Sequence, residues 1–161
     1  SGYLPLGACI ISDRVMEALS QGEEQSAFTN GYTYSGHPVS CVAALKNIEI
    51  IENEKILENV RNVTPHFQKR LKELMKYDIV GDARGMGLLG CIEYKADDLE
   101  AERSLGSRVD QACEELGLIV RPLINMAVFS PPLIITLKQI DEMFDILEMA
   151  LIKVENELKL N

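Results

Sequence analysis

The segment "DIVGDARGMGLLGCIEY", residues 78–94, sets the fold class, because two short apolar runs flank a glycine-containing turn. Such a pattern predicts two strands joined as a hairpin. Downstream, a helical pattern ends at Gly117, which is a typical residue just beyond a helix C-terminus. Two further strands at 118–123 and 127–135 and a closing helix capped by Thr136 complete the order β-β-α-β-β-α. This order predicts an α+β fold, with helices packed on one face of a small, mostly antiparallel sheet.

The hairpin also contains "GMGLLG" at 85–90, which matches the GxGxxG pattern of dinucleotide-binding proteins. That site requires a helix to begin at the glycines, so that its N-terminus faces the pyrophosphate. Here the glycines lead into "CIEYKA", which is typical of a strand. The sequence therefore favours a structural turn, and a nucleotide-dependent oxidoreductase remains a minor alternative.

Residues 1–53 differ from this unit, and we expect them to be the tail of a larger cofactor-binding domain, followed by a small domain at 54–161. "LGACIIS" at 6–12 predicts a buried strand, and Ser12 is a suitable N-cap for the short helix after it. A long ordered loop is predicted at 21–36. A helix with one apolar face begins near Pro38, and a second helical stretch at 54–76 is expected to kink or restart at Pro65.

The composition and charge of the chain argue against several classes of protein and of binding site. The 161 residues carry a net charge of −9, which argues against a nucleic-acid groove. No apolar run approaches the length of about 20 residues needed to span a membrane, and nothing resembles a signal peptide. The four cysteines are scattered, so we expect buried or half-buried thiols in a reducing cytoplasm. The two histidines are far apart in sequence, which argues against a metal site.

The loop "NGYTYSGHP" at 30–38 is unusually rich in aromatic and hydroxyl groups. One interpretation is a packed turn that caps the helix near His37. The other is an anion site, since a threonine hydroxyl and backbone N–H groups in a glycine-bracketed loop bind phosphate well. The residues leave these two alternatives open. Ser35 and His37 are poorly spaced for a nucleophile pair, and no orienting acid is evident.

Arg121 is a charged residue within the otherwise apolar "LIVRPL". It is either an edge-strand arginine that points to solvent, as alternation requires, or a guanidinium that grips a carboxylate in a cleft. The pattern alone leaves both interpretations open.

Several segments together resemble one family. "SGYLPLGACIIS", "GYTYSGHPVSCVAALKNIEIIE", "GDARGMGLLGCIEY" and the "LIVRPL…FSPPLIIT…IDEM" region are similar to the C-terminal part of class III pyridoxal-phosphate-dependent aminotransferases. The likeness is greatest to the branch that moves amino groups between ω-amino acids or amines and a keto acid such as pyruvate. It implies a small C-terminal domain of a fold type I transferase, preceded by the tail of the large domain.

The resemblance also implies roles for individual residues. Thr33 matches the threonine whose hydroxyl and backbone N–H bind the cofactor phosphate across the interface of a homodimer, and Tyr32 matches the aromatic residue that lines that site. Arg121 matches a mobile arginine that binds the substrate carboxylate. The loop after it departs from the family, which usually has Gly-Asp where this chain has Ile124-Asn125.

The resemblance implies that the Schiff-base lysine lies upstream of Ser1 in the family, so we expect no catalytic residue in this chain. The fragment alone is then expected to be inactive and not to bind pyridoxal phosphate. A non-catalytic interaction or dimerisation module descended from the family is the alternative from a different functional class.

Overall fold

The computed structural model describes residues 2–21 and 31–159. These residues form two compact units, the first ending at Glu54 and the second beginning at Lys55. The described part of the first unit contains the helices α1 (Asp13–Ser20) and α2 (Pro38–Asn53). The second unit contains α3 (Ile56–Glu73), a short 3-10 turn (Leu74–Lys76), β1 (Val80–Met86), β2 (Leu89–Tyr94), α4 (Leu99–Glu115), β3 (Arg121–Leu123), β4 (Met126–Phe129) and α5 (Leu137–Lys159).

The four strands form one antiparallel sheet in the order β1-β2-β4-β3, which confirms the predicted α+β arrangement and its β-β-α-β-β-α order. One cross-strand row, Ala83–Ile92–Ala127, is buried. The neighbouring row, Arg84–Cys91–Val128–Arg121, is exposed or half-buried, because successive residues of a strand face opposite sides. The helices therefore cover a single face of the sheet.

The core of the second unit lies between that face and helices α3, α4 and α5. Phe67 of α3 and Phe144 of α5 meet edge to face, with ring centroids 5.3 Å apart, and both are fully buried. Burial of such aromatic side chains supplies much of the driving force for folding. Along α5 the apolar residues recur on one side of the helix, and Ile140, Leu147, Leu151 and Val154 are all buried.

Local capping signals place the ends of two helices. Thr136 Oγ1 accepts from the N–H of Gln139 over 3.3 Å, while Gln139 Oε1 accepts from the N–H of Thr136 over 3.0 Å, so the two form a capping box. At the end of α4, Gly117 has φ +89°, and the N–H of Leu118 donates to the carbonyl of Cys113 over 2.8 Å. This is a Schellman ending, which confirms the predicted role of Gly117.

The structure corrects the predicted lengths of two strands and the predicted break in helix α3. β3 and β4 are shorter than the predicted segments, and β4 ends before Pro131 and Pro132, which carry no N–H for the ladder. Helix α3 continues through Pro65, so the helix does not restart there. Thr64 Oγ1 donates to the carbonyl of Val60 over 2.7 Å in the turn that precedes this proline.

The predicted buried strand at 6–12 is wrong. Residues 6–12 have no strand structure, Ile10 is 96% exposed and Cys9 is exposed, which also corrects the expectation that all four cysteines are at least half-buried. An apolar segment becomes a buried strand only when a neighbouring strand takes up its N–H and C=O groups, and the described part of the first unit contains no strand. Most of the loop predicted at 21–36 lies outside the described residues.

Candidate functional site

Residues 31–37 form a compact turn that leads into α2. The N–H of Ser35 donates to the carbonyl of Tyr32 over 2.9 Å, and the N–H of Tyr32 donates to Ser35 Oγ over 3.2 Å. Gly36 has φ +69°, a conformation that glycine adopts without strain. Nδ1 of His37 accepts from the N–H of Ser40 over 3.4 Å, which makes His37 the N-cap of α2. His37 therefore caps α2, as the first of the two interpretations predicts.

These bonds leave Ser35 and His37 in local roles. Ser35 Oγ is engaged by the N–H of Tyr32, and the His37 ring faces the first turn of α2. Neither contact joins the serine to the imidazole as a nucleophile and base would require.

Thr33 lies at the centre of this turn, with its side chain exposed, and Tyr32 beside it is 78% exposed. Within residues 2–21 and 31–159, the Thr33 hydroxyl has no hydrogen-bond partner. A Cβ at Gly31 or Gly36 would meet nothing within 4 Å, so the turn is open on both sides. A hydroxyl and a nearby N–H are donors that suit a phosphate. Two such donors contribute to a phosphate site but do not neutralise a dianion by themselves.

Arg121 begins β3, which is the edge strand of the sheet. Its side chain is exposed and belongs to the outer cross-strand row that also contains Arg84. No carboxylate of the described residues forms an ion pair with Arg121. The edge position agrees with the solvent-facing interpretation, and a guanidinium without a counterion also remains available for a carboxylate ligand.

Arg84 differs from Arg121 in this respect. Its Nη1 lies 2.7 Å from Asp82 Oδ2 and 2.6 Å from Glu93 Oε2. The hydrogen bonds with Asp82 and then Glu93 raise the pKa of the Arg84 guanidinium, and the hydrogen bond with Arg84 lowers the pKa of Asp82. Two carboxylates thus compensate Arg84, so Arg121 is the arginine of this row that is free to meet an external anion.

The turn after Arg121 contains Ile124 and Asn125. Ile124 has φ +58°, an unfavourable conformation for a β-branched residue. Asn125 Nδ2 donates to Glu102 Oε2 of α4 over 2.8 Å. Sequence reasoning noted the departure at 124–125 but missed Glu102, because nothing in the sequence links two residues 23 positions apart in different elements.

The "GMGLLG" glycines have structural explanations. Gly87 has φ +61° in the β1–β2 turn. A Cβ at Gly85 would clash with the carbonyl oxygen of Leu89, and one at Gly90 would lie 3.0 Å from side-chain atoms of Phe67 and Leu71. Because the glycines lead into β2 and not into a helix, the expected hairpin is confirmed, and no helix N-terminus is present to bind a pyrophosphate.

Tyr32 and Thr33 are thus neighbours in one turn of the first unit, whereas Arg121 belongs to the second unit. The described residues contain no group of three or more side chains suited to a metal ion. No helix among them is long and apolar enough to cross a membrane.

Residues 1–151 match the family model described as aminotransferase class-III. The chain belongs to the class III aminotransferases. Among curated relatives, it is 40% identical over 156 residues to a putrescine–pyruvate aminotransferase of Pseudomonas aeruginosa, covering 94% of this chain and 34% of that protein. It is 36% identical to the chloroplastic gamma aminobutyrate transaminase 3 of Solanum lycopersicum, covering 99% of this chain and 32% of that protein.

Solved structures of similar proteins agree with the fold. An amine transaminase from an uncultivated Pseudomonas species, in a pyridoxal-phosphate-bound form, superposes with a TM-score of 0.88 at 34% identity and covers 95% of this chain and 36% of that one. An omega-transferase from Vibrio fluvialis superposes with a TM-score of 0.76 at 41% identity, covering 85% and 34%. The second unit is therefore part of a fold type I transaminase architecture. The chain spans about a third of the length of these relatives.

Proposed function

We propose that the protein containing these residues is a pyridoxal-phosphate-dependent aminotransferase that moves an amino group from an ω-amino acid or amine to a keto acid such as pyruvate. The observation that carries the proposal is the class III match over residues 1–151. Relatives named for putrescine with pyruvate and for gamma-aminobutyrate support this donor class, because both compounds present a primary amine at the end of a chain.

Pyridoxal phosphate, when bound, supplies the electron-withdrawing ring through which the amino group is transferred. In this proposal Thr33 binds the cofactor phosphate through its hydroxyl and N–H, and Tyr32 lines the same site. The open turn and the exposed Thr33 side chain support that role. No described residue is assigned the role of the Schiff-base lysine, so the activity is proposed for the whole protein and not for these 161 residues alone.

Arg121 in the same proposal binds the substrate carboxylate. Its support is chemical, since a guanidinium pairs with a carboxylate through two parallel hydrogen bonds, and Arg121 has no internal counterion among the described residues. Arg84 is unsuited to binding a substrate carboxylate, because its guanidinium already forms ion pairs with Asp82 and Glu93.

The proposal includes a homodimer in which Thr33 serves the site of the partner subunit. The face of α2 that contains Val42, Leu45 and Ile48 is more than half exposed at each of these residues. An apolar face of this kind is normally covered in a working assembly. The same face is compatible with the non-catalytic interaction module, which is therefore the second candidate. The proposed compartment is a reducing cytoplasm, in agreement with four free cysteines.

The test uses the complete natural protein with pyridoxal phosphate, a diamine or ω-amino acid, and pyruvate, and it measures alanine formation. Thr33→Val is expected to weaken cofactor binding about tenfold, which corresponds to the loss of a hydrogen bond to a charged group. Thr33→Ser, which keeps the hydroxyl, serves as its matched control. A protein that binds the cofactor but forms no alanine from any such donor would refute the proposal, and a stable dimer without cofactor binding would favour the interaction module.

A further inference from the structure

The turn between β3 and β4 has only two residues. Leu123 pairs with Met126, so Ile124 and Asn125 alone connect the strands. Two-residue hairpin turns of the II′ class require a positive φ at the first position and prefer glycine there. Ile124 occupies this position with φ +58°. An isoleucine in this conformation persists only when its surroundings hold it there.

Three contacts hold this turn. The carbonyl of Asn125 accepts from the N–H of Tyr94 over 2.8 Å, which ties the turn to the end of β2. Asn125 Nδ2 donates to Glu102 Oε2 over 2.8 Å, and a longer contact of 3.5 Å reaches Glu93 Oε1. The backbone of α4 also approaches closely, since a Cβ at Gly106 would lie 3.4 Å from the carbonyl oxygen of Ile124.

Glu102 is itself well placed to act as an anchor. It lies in the first turn of α4, where a negative charge interacts favourably with the helix dipole. That end of the helix is capped by Asp98, whose Oδ1 accepts from the N–H of Ala101 over 2.8 Å. The side chain that holds Asn125 therefore belongs to a capped helix terminus.

Arg121 depends on this turn for its geometry. β3 is three residues long and, as an edge strand, pairs with β4 alone. Arg121 pairs with Val128 at the far end of that short ladder. Any change in the β3–β4 turn is therefore passed to the Arg121 backbone through only three residue pairs.

We infer that Glu102 and Asn125 are positioning residues that keep the β3–β4 turn closed and thereby fix the backbone of Arg121, from which its exposed side chain reaches a carboxylate. This inference rests on the proposed function for the role of Arg121. In this inference, selectivity for carboxylate substrates over simple amines depends on the bond between Asn125 and Glu102.

The experiment compares three variants of the complete natural protein with its cofactor. Glu102→Ala removes the acceptor, Glu102→Gln keeps an oxygen that accepts from Asn125, and Glu100→Ala is the matched control, because Glu100 is an exposed acidic residue of the same first turn. The first measurement is amide hydrogen exchange at residues 121–128. The second is KM for pyruvate and for a diamine that lacks a carboxylate.

We expect Glu102→Ala to increase exchange at 121–128 by about fivefold to tenfold, consistent with the loss of one hydrogen bond to a charged group. KM for pyruvate should rise by about fivefold, whereas KM for the diamine stays unchanged. Glu102→Gln, which keeps an acceptor oxygen, should have exchange rates and a KM for pyruvate close to those of the unsubstituted protein. Glu100→Ala should change neither.

Equal exchange in Glu102→Ala and Glu100→Ala would overturn the inference. Faster exchange with an unchanged KM for pyruvate would also overturn it, because the turn would then be held without positioning Arg121. If the unsubstituted protein catalyses no amino transfer, the proposed function fails. The exchange comparison then still shows whether Glu102 holds the turn.

Discussion

The guanidinium of Arg70 in α3 donates to the carboxylate of Asp141 in α5, with Nη1 and Oδ1 2.6 Å apart. The Arg70 side chain is only 14% exposed, and its Nη2 also lies 2.7 Å from Asp145 and 3.4 Å from Glu148. One arginine thus meets three carboxylates of the facing helix. The planar fork of a guanidinium is suited to such multiple contacts, which a lysine would not reproduce.

Arg70→Ala is therefore expected to lower the free energy of unfolding by about 2 kcal/mol, through lost hydrogen bonds and uncompensated carboxylates. Urea unfolding measures this change. Lys69→Ala is the matched control, since Lys69 is 73% exposed and only approaches Glu73 at 3.8 Å. Equal losses in the two variants would show that the Arg70 contacts add nothing to stability.

The same cluster predicts a pH dependence. The hydrogen bond with His66, followed by that with Arg70, lowers the pKa of Asp141 below its ordinary value of 3.8. The unfolded state then binds a proton at a higher pH than the folded state does. The stabilising contribution of Asp141 is therefore fully present above the ordinary pKa of 3.8. Stability should fall as the pH drops below 3.8 towards the folded pKa. Asp141→Asn should make this part of the urea-unfolding profile shallower, and an unchanged slope would contradict the assignment.

Tyr94 provides a test of the energetic cost of burying a hydroxyl group without a hydrogen-bond partner. Its side chain is 2% exposed, its hydroxyl has no hydrogen-bond partner among the described residues, and burial raises its pKa. An unsatisfied buried hydroxyl is costly, so Tyr94→Phe should raise the free energy of unfolding by about 1 kcal/mol.

Tyr77→Phe is the paired control for that experiment. The Tyr77 hydroxyl donates to Glu148 Oε2 over 3.0 Å, so its removal should lower stability by about 1 kcal/mol. The two tyrosine variants are therefore expected to change stability in opposite directions. Parallel losses in thermal unfolding would mean that the Tyr94 hydroxyl is satisfied, for example by a buried water.

Gly85 is predicted to tolerate no side chain. An added Cβ would clash with the carbonyl oxygen of Leu89 and lie 2.9 Å from Gln68 Nε2. Because backbone cannot move aside as a flexible side chain does, Gly85→Ala should cost about 2 kcal/mol or more in thermal unfolding. Met86→Ala, at a neighbouring position that is 83% exposed, should leave stability nearly unchanged.

Ile124→Gly is expected to stabilise the second unit. The substitution relieves a φ of +58° that disfavours isoleucine, and this gain exceeds the entropy that glycine adds to the unfolded chain. A net increase of about 1 kcal/mol is expected in urea unfolding. Ile119→Gly, at an exposed residue with no positive φ, should instead lower stability, and a loss at both sites would refute the strain at Ile124.

The features that local chemistry controls were predictable from the sequence. The β1–β2 hairpin around Gly87, the Schellman ending at Gly117 and the capping box at Thr136 each depend on residues within a few positions of one another. The apolar period of α5 likewise shows which of its sides is buried. Family membership also follows from motifs, since it needs the order and spacing of segments and no coordinates.

Other features depend on contacts between residues far apart in the chain, which no local pattern encodes. The Arg70–Asp141 contact joins residues 71 positions apart, and the Asn125–Glu102 contact joins residues 23 positions apart. The segment at 6–12 is a second example of this limit. Its apolar residues predict a buried strand, but burial requires a partner strand, which no local pattern of residues 6–12 can indicate. Composition and periodicity thus specify the elements and their ends, whereas three-dimensional packing specifies which polar groups are paired, which remain unsatisfied, and which arginine is free to bind a ligand.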